Sequence, residues 1–343
     1  MLRTLALKAL AAVWAISALA PGADRGATTA LHTASTVPWT VPPFQSKGKT
    51  QCDSDGDLYF DVAIDISNPT VVMKVAHDGS KYEIYSLPSR PDVLTQIVAF
   101  SVTRSGELRV LALTRAKRTG AGASAFPYEQ AEVSVYTYGD DPGNPSVTKL
   151  AAPEHMDPRS FAAFESGAVL VTGYLTGQAA PEQQGKTFTG VFQSSGKLAA
   201  GVSGNAGNVD LATLGKKIYE GDAVSGEDGF IYVLGPEAVV VVSESGAVVR
   251  KMPFKKPDST FTAQDLWVSG GLAVIGLYTG EGPGKQLKVQ YLAVNASTGE
   301  PLGWYEPEEA LGNHAVCFSR SEGLTFLTVN KDGKFILASA PVR

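Results

Sequence analysis

The chain has 343 residues, of which 44% are hydrophobic and 18% charged, and its formal net charge is -5 at pH 7. That apolar content can bury a large core in one domain. An acidic balance with no concentrated basic run excludes nucleic acid as a partner, because phosphate binding needs a positive field.

Met1 to Ala23 has a basic start (Arg3, Lys8), an apolar stretch from Ala9 to Ala20 and small residues at Ala18, Ala20, Gly22 and Ala23. This pattern reads as a secretory signal peptide. A membrane anchor is the alternative, but the stretch is shorter than the roughly 20 residues a bilayer-spanning helix needs. No later run is long and apolar enough to span a membrane, so the mature chain is expected in a secreted or periplasmic compartment. Residues 24 to 35 read as a linker. Val37 to Phe44 alternates apolar residues with Pro38, Pro42 and Pro43, which suits an edge strand.

From there a turn recurs at Gly56, Gly106, Gly167, Gly229, Gly271 and Gly323, each followed by a β-branched or aliphatic run such as Phe230 to Val233. A second Gly turn follows at Gly79, Gly196, Gly246 and Gly299 between alternating segments, the signal of a hairpin. Helix periodicity is nearly absent beyond the leader, with Val209 to Lys217 the one weak candidate. A strand-only repeat of roughly 40 to 60 residues predicts propeller blades, since a lone four-stranded sheet cannot bury both faces. The predicted fold is all-β, a six-bladed β-propeller over 36 to 343 with blades at 50–90, 94–152, 158–204, 218–256, 261–306 and 313–343. The last blade is one strand short, and Val37 to Phe44 is expected to complete it, because an unpaired edge leaves backbone groups exposed.

The segments Asp55-Gly56-Asp57-Leu58-Tyr59 and Glu227-Asp228-Gly229-Phe230-Ile231-Tyr232 carry a resemblance to six-bladed β-propellers of the NHL and TolB-like kind. The resemblance covers about residues 36 to 343 and implies an architecture but no particular activity. The WD dipeptide of WD40 blades is missing, as is a tryptophan-docking motif of the quinoprotein sort.

Cys52 and Cys317 both fall on innermost strands, in blades one and six, which meet at the seam of the ring. A disulfide there would join distant parts of the chain; two separate buried thiols are the other reading. Asp53-Ser54-Asp55-Gly56-Asp57 invites a calcium reading, but EF-hand spacing would put Leu58 and Ile64 at the sixth and twelfth positions, so a turn is expected. None of the four histidines forms an HxH or HExxH pair.

The innermost strand of each blade lines the channel, and its start faces the side where the d–a and b–c loops gather. Candidate binding residues on that face are Arg159, Asp222, Asp265, His314, Tyr174 and Tyr278, with His155 nearby. Long b–c loops at 116–130 and 176–186 would also sit there. Asn295-Ala296-Ser297 matches a glycosylation sequon and also a turn. No Gly-x-Ser-x-Gly elbow or Walker loop occurs. Two functions follow: a secreted or periplasmic propeller binding a small polar ligand or protein partner through its loop face and channel mouth, or a hydrolase or lyase using Asp222, Asp265, Arg159 and His314, with a divalent cation in the channel favouring the enzyme. A purely structural role predicts instead an apolar patch on the side of the ring. The sequence names no cofactor.

Overall fold

The computed structural model describes residues 27–42, 44–63, 71–116, 131–139, 141–175, 187–199, 223–280 and 287–342. The N-terminal segment gives β1 (Thr29–Leu31) and β2 (Ser35–Pro38). Blade one is β3 (Gln45–Cys52), β4 (Leu58–Ala63), β5 (Val71–Val75) and β6 (Tyr82–Tyr85). Blade two is β7 (Val93–Val102), β8 (Leu108–Ala116), β9 (Glu132–Tyr138) and β10 (Ser146–Lys149). Blade three contributes β11 (Met156–Ala163), β12 (Val169–Leu175) and β13 (Thr187–Phe192) among the described residues. Blade four is β14 (Ala223–Ser225), β15 (Ile231–Leu234), β16 (Ala238–Val242) and β17 (Val248–Pro253). Blade five is β18 (Thr262–Ser269), β19 (Leu272–Thr279), β20 (Lys288–Asn295) and β21 (Pro301–Pro307). Blade six is β22 (Ala315–Ser319), β23 (Gly323–Val329) and β24 (Phe335–Ala340). Within each blade successive strands pair antiparallel, which makes the molecule a six-bladed all-β propeller.

The physical reason for the ring is visible in β16. All five of its residues are buried, but Ala238, Val240 and Val242 enter the core shared with blade three while Val239 and Val241 enter the core shared with blade five. Alternating Cβ directions therefore feed two cores from one strand, and an unbroken apolar run replaces the polar–apolar alternation of a half-exposed sheet. Each of the six a–b turns carries its Gly at positive φ, from 75° at Gly271 to 99° at Gly167, a conformation other residues adopt at a cost.

The N-terminal segment closes the ring twice. In blade six, β2 pairs antiparallel with β24, Val37 opposite Leu337 and Pro38 opposite Ile336. The expected donor was Val37 to Phe44; the strand is instead Ser35–Pro38, because beyond Trp39 the chain turns to blade one, where Thr40 N–H donates to Gly79 O at 3.0 Å and Val41 and Phe44 pack into the six–one core. In blade five, β1 lies inside the stretch read as a linker and adds a parallel fifth strand against β21, with Leu31 opposite Pro307. Leu31 is buried in the core between blades five and six. The expected disulfide forms between Cys52 and Cys317, whose Cα atoms are 5.6 Å apart, and it joins β3 to β22 across the seam.

No helix among the described residues is long and apolar enough to cross a membrane. The expected signal peptide at 1–23, the helix candidate at 209–217, residues 117–130 and the expected 176–186 loop lie outside the described residues.

Candidate functional site

Strand direction sorts the connections onto two faces, with d–a and b–c connections on one and a–b and c–d turns on the other. Among the described residues a cavity of about 30 Å³ lies between the innermost strands, bounded by Val102, Val224, Leu266 and Phe318, room for roughly one water. Gln51 spans its wall: the amide donates to Phe100 O and accepts from Val102 N–H, both at 2.9 Å.

On the d–a and b–c face the structure brings three of the expected residues together. Asp265 sits beside a bulge in β18 and faces Gly276 of β19. A Cβ on Gly276 would lie 3.1 Å from the Asp265 Cβ, so the missing side chain lets the carboxylate lean toward the next turn of the strand. There the Tyr278 hydroxyl donates to Asp265 Oδ2. Burial, then the charge of Asp265, holds the Tyr278 phenol well above its usual range, so it is a neutral donor. His314, exposed at the entry to β22, stacks on the Tyr278 ring with centroids 4.9 Å apart and planes 18° apart. Tyr291 supports the cluster from β20: its hydroxyl donates to Asn313 O and accepts from Ala315 N–H, which fixes the loop carrying His314.

Arg159 and Tyr174 belong to a second group on the same face, in blade three. Arg159 pairs with Asp157 at 2.5 Å, and Asp157 lies opposite Tyr174 in the strand register. His155 precedes them with φ at 61°, a left-handed conformation unusual for a non-glycine residue. Asp222 lies outside the described residues. Among the described residues no three His, Cys, Asp or Glu side chains converge in a way that could hold a metal ion.

The calcium reading of Asp53 to Asp57 meets a different cation. Lys74 Nζ lies 2.9 Å from Asp57 and 3.8 Å from Asp53, while Asp53 Oδ1 caps the turn by accepting from Asp55 and Asp57 N–H at 3.0 Å. The sequon asparagine is likewise engaged in a turn, with Asn295 Oδ1 accepting from Ser297 N–H at 2.8 Å.

The opposite face holds an arrangement that sequence reasoning missed. Arg104 of the blade-two turn forms an ion pair with Glu227 of the blade-four turn and donates to Ser269 Oγ of blade five at 3.1 Å. Glu227 also accepts from Ser269 Oγ at 3.1 Å and from Gly270 N–H at 3.0 Å. Glu165 of blade three accepts from Arg104 N–H at 2.6 Å, and Ser54 of blade one donates to Arg104 O at 2.8 Å. Arg320 N–H of blade six donates to Ser269 Oγ at 3.3 Å. All six a–b turns are thus tied across the channel end. The available signal was position: Ser54, Arg104, Glu165, Glu227 and Ser269 each stand two residues before their turn glycine.

No protein-family model matches the chain, and no curated protein matches it. Solved structures similar to it include a protein of unknown function from Dyadobacter fermentans, 13% identical with a TM-score of 0.49, over 91% of this chain and 99% of that one. A gluconolactonase from Xanthomonas campestris is 12% identical with a TM-score of 0.46, over 90% and 99% of the two chains. A calcium-binding protein, regucalcin, from Agrobacterium tumefaciens is 12% identical with a TM-score of 0.44, over 91% and 96%. These likenesses carry no argument about activity, and the fold rests on the strand pairings.

Proposed function

We propose that this is a secreted or periplasmic propeller that binds a small polar ligand or an extended peptide on the face where the d–a and b–c loops gather, with Asp265, Tyr278 and His314 at the centre of the site. The carrying observation is the union of a carboxylate, a buried neutral phenol and an exposed imidazole across blades five and six. Such a cluster offers a carboxylate acceptor and an exposed imidazole, held flat on a buried ring, to one ligand. Arg159 and Tyr174 extend the same face in blade three, and Asp222 belongs to the proposal from its sequence position. The signal-like pattern of Met1 to Ala23 and the Cys52–Cys317 disulfide support the extracytoplasmic assignment.

Binding is favoured over the hydrolase or lyase reading by the way His314 meets its neighbour. The imidazole presents its flat face to Tyr278, so no hydrogen bond carries a proton between His314 and Asp265 through the phenol. The test is a thermal-shift and NMR screen of the purified mature chain against amino acids, polyamines and short peptides. The hits are then measured on Asp265→Asn and His314→Ala. Each substitution should weaken binding about tenfold, or about 1.4 kcal/mol. Hits whose affinity survives both changes would remove the site from this face.

A further inference from the structure

A second concavity opens on the other face, between blades two and three, and it is independent of the loop-face reading. The second residue of strand b fills this level of the gap after blades one and four with a tyrosine. Tyr59 bonds Asp53 and Gly106 O, and Tyr232 bonds Asp228 and Ala296 O. In blade two the same place holds Arg109, and a cleft of about 210 Å³ remains beside it. At roughly 30 Å³ per liquid water, that is the space of about seven waters, or of one pyranose ring with its hydroxyls.

The lining departs from the packing logic of the rest of the gap. Further along the same strands, Leu111 and Val133 pack against Phe161 and Val171. At the cleft, blade two presents Thr137, Ser146 and Thr148, and blade three presents Gln193 and Ser194. The side chains of these five make no hydrogen bond to protein among the described residues. Arg109 is buried, at 5% exposure. It donates to Phe164 O at 2.9 Å and pairs with Glu107. Its guanidinium has five N–H donors, so some remain for a ligand, while Glu107 offsets the positive charge.

The walls are already set. A Cβ on Gly167 would meet Ser194 Cβ at 3.0 Å, and one on Gly196 would meet Lys149 O at 2.0 Å. Ala151 N–H also donates to Gly196 O at 2.8 Å. Binding there would order little that is not ordered already.

We propose that this cleft binds a neutral polyhydroxylated molecule, one sugar residue or a polyol of similar size. Hydroxyl and amide groups both donate and accept, as sugar hydroxyls do. Val135, Leu150 and Val169 supply an aliphatic floor for C–H faces, and the compensated Arg109–Glu107 pair disfavours a net anion. The probes are glucose, galactose, mannitol, glycerol and inorganic phosphate, titrated into the isotope-labelled chain and followed by amide shifts and calorimetry. At least one neutral probe should give saturable shifts at Thr137, Thr148 and Ser194. Ser146→Phe, at an exposed edge position that overhangs the cleft, should weaken it tenfold or more, and Gln193→Ala severalfold, both with an unchanged melting temperature. Val329→Ser, on blade six, should leave binding as it is. The proposal is overturned if no neutral probe saturates, if phosphate alone binds, or if affinity survives both cleft substitutions. Shifts centred on His314 would overturn it too, while leaving the loop-face reading standing.

Discussion

Glu227 shows how one side chain can hold several blades. Burial pushes its carboxyl up, but the Gly270 N–H, the charge of Arg104 and the Ser269 hydroxyl outweigh that and leave it below its ordinary value of 4.5. A carboxyl depressed in the folded state contributes stability that is present above the unfolded value and is lost as pH falls through the folded one. The loss should therefore begin below about pH 4.5. Glu227→Gln keeps the shape and removes the charge, so it should lower the urea midpoint at neutral pH and flatten its decline toward about pH 3.5. A decline as steep as in the parent would show that this pair contributes nothing. Asp53 has the opposite sign: burial and then the Asp57 charge raise it, against the Asp57 N–H, the charge of Lys74 and the Tyr59 hydroxyl, which favour its ionised form. Lys74→Met should cost about 1 to 2 kcal/mol at neutral pH, because it removes the cation shared by Asp57 and the almost wholly buried Asp53 and leaves their two charges facing each other. That deficit should shrink as pH falls and Asp53 is protonated, which urea titrations at two pH values would show.

Among the elements, the a–b turns and strand ends do the positioning. Gly270 is the sharpest case, with φ at 56° and a would-be Cβ 2.4 Å from the Arg320 Cβ. Gly270→Ala strains the backbone and pushes blade six away from blade five, so a loss of about 1 to 3 kcal/mol is expected by chemical denaturation. The nearby Gly271→Ala faces open space and should cost only the backbone part. Turns of this kind were the legible part of the chain, because Gly at a fixed interval before a β-branched run reports local backbone demands. The run Phe230 to Val233 matches β15 (Ile231–Leu234) to within a residue for the same reason. β2 was displaced toward the N-terminus because alternation in Val37 to Phe44 marks a segment that packs inward without saying on which blade. Pairing of Asp265, Tyr278 and His314 was legible as a shared face, but the stacking was not, since it depends on a loop fixed by Tyr291. The Arg104–Glu227 bridge spans 123 residues, and no local pattern reports such a contact.

At the scale of the whole ring, stability depends on closing a circle whose ends are far apart in sequence. Every interface but one joins blades that are consecutive in the chain; the seam between blades six and one must be closed by other means. Three devices act there: β2 on β24, β1 on β21 one blade further back, and the Cys52–Cys317 bridge across a separation of 265 residues. The first two are short strands, and their hold adds burial of Leu31 to hydrogen bonds at Glu308, which accepts from Thr33 N–H at 2.9 Å and Oγ1 at 3.0 Å. The bridge acts on the unfolded chain, where a loop of that length carries much closure entropy, a contribution of about 2 to 5 kcal/mol. Cys317→Ser should therefore lower stability by that amount while leaving the strand-rich circular dichroism spectrum intact. Removing residues 1–34 from that variant deletes β1 but keeps β2, and should cost a further increment that the disulfide-bonded parent feels less, since both act on neighbouring seams. If the two losses simply add, β1 braces blade five alone. A smaller combined loss than the sum of the two would show that strap and bridge depend on one another, each losing its hold once the other is gone. The expected result is a larger one, because without the covalent link the N-terminal segment, anchored by β1 on blade five and by β2 on blade six, carries more of the closure between the last blade and the first.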